Sequence, residues 1–300
     1  MFITWKIWRA LRRPPLNSPL YRRQQAGRPR HRLYRRALLV GLWLALVGGC
    51  YQATFNHPPV YQWLSGLNFF TVVCVIFALV LFYLSILTAA ISLTITRARE
   101  QRIYDLLCLT PPGTLAVNWT LCAATIYHRK GFGVFWFIVT FASLILGMAL
   151  VVEIAIPVLG LLDTSNTPAL VSSYQRLLVD LLYTLALVGV FYVGSAQAVV
   201  SGVLLGMLGP ANAPDSAGAP VWTVSSFLAV QLLTGGLAAG IGLAAVPALH
   251  QLAALPDGLA RVMLPLEQFV IFAGLREATN YLLWRALVSR LESIPAIPAL

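Results

Sequence analysis

The sequence predicts an all-α, polytopic membrane protein with about six transmembrane helices, an N-terminal amphipathic interfacial arm and a short cytoplasmic coupling helix. Three observations carry that prediction. Of 300 residues, 59% are hydrophobic and only 10% charged, where soluble domains carry about 25% charge. The mean hydropathy is +0.78, more apolar surface than a core of this size can absorb, so the solvent is lipid. Finally, sixteen of the 21 lysines and arginines are gathered into two segments, 1–36 and 97–131, the asymmetry expected of cytoplasmic loops.

The arm, residues 1–36, opens on MFITWKIWRALRR. Phe2, Ile3, Trp5, Ile7, Trp8 and Leu11 suit the head-group region, while Lys6, Arg9, Arg12 and Arg13 suit phosphates. Charges interrupt its apolar residues and Pro14-Pro15 follows, so it does not read as a cleavable leader. A second basic stretch, 17–41, leads into the first span.

A single transmembrane domain is expected over 37–290, with spans at about 37–55, 66–96, 132–162, 177–208, 221–249 and 262–288. The sixth is interrupted by Pro265, Glu267, Arg276 and Glu277. Residues 291–300 form a tail. Six spans put both termini on one side, and the basic segments make that side the cytoplasm. The net charge of +11 then reads as a match to anionic lipid head groups and not as a nucleic-acid footprint. The 209–220 turn, GPANAPDSAGAP, carries no basic residue.

The second run is overlong. As a helix it extends about 46 Å against a hydrocarbon core of about 30 Å, so its end tilts or projects into the cytoplasm. From that end continues REQRIYDLLCLTPPG, residues 99–113. Ile103, Leu106, Leu107 and Thr110 share a face by three- and four-residue spacing, while Arg99, Arg102 and Asp105 project elsewhere. Pro111, Pro112 and Gly113 stop the helix.

That stretch resembles the cytoplasmic coupling region of type-2 ATP-binding-cassette (ABC) transporter permeases, which often read E-R-x-x-G-T-L-E-L-L-L-x-T-P. The match runs through Glu100, Asp105, Leu106, Leu107, Thr110 and Pro111. NSPLYRR at 17–23 is similar to the N-P-x-L-Y-R-E elbow ahead of the first span in many bacterial members. The resemblance implies the permease subunit of an exporter in a bacterial cell (inner) membrane, with a second permease copy or paralogue beside it. A separate ABC ATPase subunit would hold the ATP and grip residues 99–113. The alternative is a non-transporting, permease-like scaffold in a larger respiratory or photosynthetic complex.

The chain itself offers no P-loop, since Lys6 and Lys130 are its only lysines and neither sits in that pattern. No catalytic, cofactor or metal-binding constellation is expected, so the chain does not read as an enzyme. Cys50, Cys74, Cys108 and Cys122 form no C-x-x-C pair, and His31, His57, His128 and His250 read as interfacial polar residues. Glu153, Asp180 and Glu267 all fall near the outer interface, where a carboxylate costs less than at mid-membrane. They are candidates for an exit path, or simply interfacial acids.

Overall fold

The computed structural model describes residues 2–12, 69–101, 104, 113–128, single positions between 132 and 143, 167–213, 215, 217–253 and 256–292. Every described element is helical: α1 (Ile3–Arg12), α2 (Phe69–Glu100), α3 (Gly113–His128), α4 (Thr167–Asn212), α5 (Gly218–Gly240), a π segment (Ile241–Ala245), α6 (Val246–Leu252) and α7 (Asp257–Glu292). Four helical stretches are long and apolar enough to cross a membrane: Val80–Glu100, Leu181–Asn212, Gly218–Leu252 and Gly258–Leu291. They correspond to the second, fourth, fifth and sixth expected spans. The first span, the 17–23 elbow and most of the third span lie outside the described residues.

α4 is the central post, packed against α2, α5 and α7. Its last turns carry Val199, Val200, Val203, Leu204 and Met207, all with no exposure. Close approach comes from small residues. A Cβ on Gly206 would stand 2.9 Å from Ile91 Cγ2 and 3.2 Å from the Thr88 carbonyl oxygen, so α2 seats directly on the α4 backbone there. Thr223 and Ser92, 3.1 Å apart through their hydroxyls, join α5 to α2 at the same level.

The polypeptide ends of α2, α4 and α7 and the start of α5 share one end of the bundle, its foot. Counting upward from it at about 1.5 Å per residue, the pairings agree across helices. Thr88 meets Gly202, Gly194 meets Phe272 and Gly242 meets Gln268. Exposed large apolar side chains (Ile86, Phe82 and Phe77 on α2, Leu232 to Leu249 on α5 and α6, Val270 and Leu266 on α7) occupy heights of about 20–50 Å on that scale. Arg97, Glu100, Arg285 and Arg290 are exposed below them, together with Val221, Trp222, Leu228, Tyr281 and Leu282.

α3 gives part of the expected 97–131 loop a packed helix. Thr114 Oγ1 donates to the Leu291 carbonyl at the foot, 3.2 Å away. From there α3 climbs beside α2 with Asn118 and Cys122 fully buried. Phe135 then stacks on Tyr83 with 5.0 Å between ring centres, and Trp136 meets Tyr192 at 5.3 Å. The sequence GTLAVNWTLCAATIYH is apolar enough to be buried. Arg129 and Lys130 immediately after it are what made the whole stretch read as a surface loop. Gly113 does not only stop a helix: at φ +75, a conformation only glycine adopts freely, it opens α3.

Candidate functional site

Two clusters stand out, one at the foot and one in mid-bundle. At the foot, Arg99 Nη1 donates to the carbonyl of Pro210. A guanidinium here complements the partial negative charge at the C-terminus of α4. Its Cζ lies 4.9 Å from the centre of the Tyr104 ring, a cation–π contact. Thr96, Arg99 and Glu100 of α2 and Pro210 to Ala213 of α4 line a cavity of about 450 Å³. Glu100 itself is exposed. Of the other coupling candidates, Asp105, Leu106, Leu107, Thr110 and Pro111 lie outside the described residues.

The mid-bundle cluster joins α1, α4 and α7. Asn280 is fully buried. Its amide nitrogen donates to Thr4 Oγ1 at 3.0 Å and to the Gln197 carbonyl at 3.2 Å, and its Oδ1 accepts from Ser201 at 2.6 Å. Gln197 Nε2 donates to the Ala273 carbonyl, 2.9 Å. Glu277 Oε1 accepts the Thr4 backbone N–H, 3.0 Å, placing a carboxylate at the positive end of α1. Next to it Arg276, 4% exposed, donates from Nη1 to the Gly194 carbonyl at 2.8 Å and stacks on Phe272 at 4.7 Å.

This layer docks the arm. α1 buries Thr4, Ile7, Trp8 and Leu11, the i, i+3, i+4, i+7 face of one helix. Trp8 meets Trp136 at 4.9 Å, and Tyr127 Oη donates to the Leu11 carbonyl at 2.7 Å. The apolar residues of the arm therefore divide. Ile7, Trp8 and Leu11 face protein, while Phe2 and Trp5 stay exposed beside Lys6, Arg9 and Arg12.

The chain matches no family model, no curated protein and no solved structure. Its reading therefore rests on its own residues.

Of the three outer acids, Glu153 lies outside the described residues, and the side chain of Asp180, in α4, is not described. Glu267 Oε2 lies 2.7 Å from His250 Nε2, an ion-pair approach that is not an aligned hydrogen bond. Glu267 stands 25 residues above the end of α7, about 37 Å along its axis, well above Glu100 at the foot and beside the Gln268–Gly242 contact. Sequence reasoning treated Arg276 and Glu277 as interruptions and passed over Gln197, Ser201, Asn280 and Thr4. A signal was present: Gln197/Ser201 and Arg276/Asn280 are polar pairs at four-residue spacing in otherwise apolar runs, which puts each pair on one helix face.

Proposed function

We propose that the chain is the membrane-spanning permease subunit of a type-2 ABC transporter, an exporter in a bacterial cell (inner) membrane. In this reading it has six spans and both termini in the cytoplasm. A second permease copy or paralogue completes the pathway, and a separate ABC ATPase subunit binds ATP. One observation carries the reading most: α2, 32 residues long, outruns a bilayer of about 30 Å and ends at an exposed Glu100 beside the Arg99–Pro210 contact. A helix held on two sides by α4 and α5 and projecting beyond the lipid is a stiff lever. Force applied at 99–113 would reach α4 through Arg99 and the Gly202–Gly206 seam.

The test is co-purification. Glu100→Arg and Leu106→Asp should leave the protein inserted at wild-type abundance, since neither sits at mid-bilayer. Both should weaken recovery of an ATPase subunit that the wild type retains. A wild type that recovers no ATPase, but a fixed set of other membrane proteins indifferent to both changes, replaces the transporter with the scaffold.

A further inference from the structure

Above the polar layer, α4, α5 and α7 part to leave a side crevice of about 370 Å³, lined by Leu187, Gly235, Ala239, Gly242, Phe269 and Phe272 among others. It exists because α5 presents small residues; a Cβ on Gly235 would meet nothing within 4 Å. Its upper edge is fixed by the π segment. There the Val246 N–H reaches back to the Ile241 carbonyl. In the same five-residue register the donor for the Gly242 carbonyl would be residue 247, a proline with no N–H. Gln268 Nε2 supplies that donor instead, at 3.0 Å. The crevice is thus held open by built contacts.

Its lower edge is Phe272, and Arg276 lies one helical turn below, under the ring. Nε and Nη2 of Arg276 are buried and have no hydrogen-bond partner. No carboxylate pairs with it among the described residues, because Glu277 turns to the start of α1 and Glu267 to His250. A buried guanidinium with two idle nitrogens is costly unless an anion meets it. The height of Arg276 is also telling. It stands about 24 Å above the foot by helix rise, level with α1, whose Lys6, Arg9 and Arg12 are exposed. Arg276 sits behind Phe272 and does not itself line the crevice. From Phe272 the crevice climbs about 10 Å along α7 through the band of exposed apolar side chains. Charge below and an apolar channel above match the two ends of one lipid.

We propose that the crevice holds one hydrocarbon chain of an anionic phospholipid whose phosphate meets Arg276, with Phe272 swinging aside to admit it. The site stands independently of any ATPase. Native mass spectrometry of the full chain, loaded from vesicles of phosphatidylglycerol or of phosphatidylcholine with the same acyl chains, tests it. The wild type should keep one phosphatidylglycerol at least tenfold better than phosphatidylcholine. Ala239→Phe, which fills the crevice without touching the bond from Arg276 to Gly194, should lose both lipids at an unchanged melting temperature. Arg276→Gln should erase the preference and Arg276→Lys should keep it. Soluble glycerol phosphate, which has the charge but no chain, should not bind. Equal retention of the two lipids by the wild type overturns the proposal. So does full retention by Ala239→Phe, including the case where that variant instead turns a dimer into a monomer and marks the crevice as an interface between copies.

Discussion

Asn280 shows how much one side chain holds in place. Three hydrogen bonds converge on its buried amide, from or to Thr4, Gln197 and Ser201. Hydrogen bonds between helices inside a membrane average about 0.6 kcal/mol each, but leaving buried partners unsatisfied costs about 1–3 kcal/mol. The second effect dominates for Asn280→Leu, which leaves the Thr4 hydroxyl without its donor, while Ser201 keeps its bond to the Gln197 carbonyl. That variant should melt earlier in detergent, and trypsin should cut at Lys6 and Arg9 faster than in the wild type. Unchanged cleavage would mean that α1 is held without this amide. Glu277→Gln keeps an acceptor for the Thr4 N–H and removes only its charge, so the loss should be smaller, about 0.3–1 kcal/mol. The ordering of the two variants is the informative result.

Among the elements, α4 is stabilised by what it lacks. Gly206→Val pushes a branched side chain into Ile91 and the Thr88 carbonyl, and backbone cannot swing aside as a flexible side chain can; overpacking of this kind costs about 1–3 kcal/mol. Gly235→Ala meets open space and should leave the melting temperature unchanged or slightly raised, because alanine favours helix over glycine by about 1 kcal/mol. A Gly206→Val as stable as Gly235→Ala would break the account of the α2–α4 seam. α1 behaves as a packed element too, so Trp8→Ala should cost about 3–5 kcal/mol in the same assay. Of the four helices long and apolar enough to span, three were legible from apolar run length, because a helix in lipid has to satisfy its backbone internally and stay apolar along its length. The fourth, α7, was legible only despite its polar interruptions. α3 was not legible: 16 residues fall short of a full crossing, and the cations after it outweighed its apolar content. The polar layer was half legible. Arg276 and Glu277 were visible as interruptions, but their roles depend on Gly194 and Thr4, 82 and 273 positions away, and no local pattern predicts such partners.

The whole molecule is taller than a membrane. α4 and α7, with 46 and 36 residues, would reach about 69 and 54 Å if straight, against a hydrocarbon core of about 30 Å. The lipid therefore covers only part of the bundle, and α1 decides which part. An amphipathic helix with exposed Phe2, Trp5, Lys6, Arg9 and Arg12 belongs at a water–lipid boundary. Its contacts with Glu277 and Asn280 fix it about 18–24 Å above the foot. Lipid above that level covers Val270, Leu237 and Phe77 and also takes in Glu267, part-buried against His250, whereas lipid below it would enclose Arg97, Arg285 and Arg290, all exposed, at a greater cost. On the proposed permease reading the foot, with Glu100 and its cavity, then stands in water, where the ATPase subunit would reach it. Leu282 and Val270 on α7 separate the two placements because they are equally exposed on the bundle, 63% and 65%, yet lie about 18 Å apart along the axis. On a cysteine-free background, Leu282→Cys should react with a membrane-impermeant maleimide applied to inside-out vesicles, and Val270→Cys should react only after detergent is added. Protection at both positions would put the foot inside the lipid, and the projecting lever would fail with it.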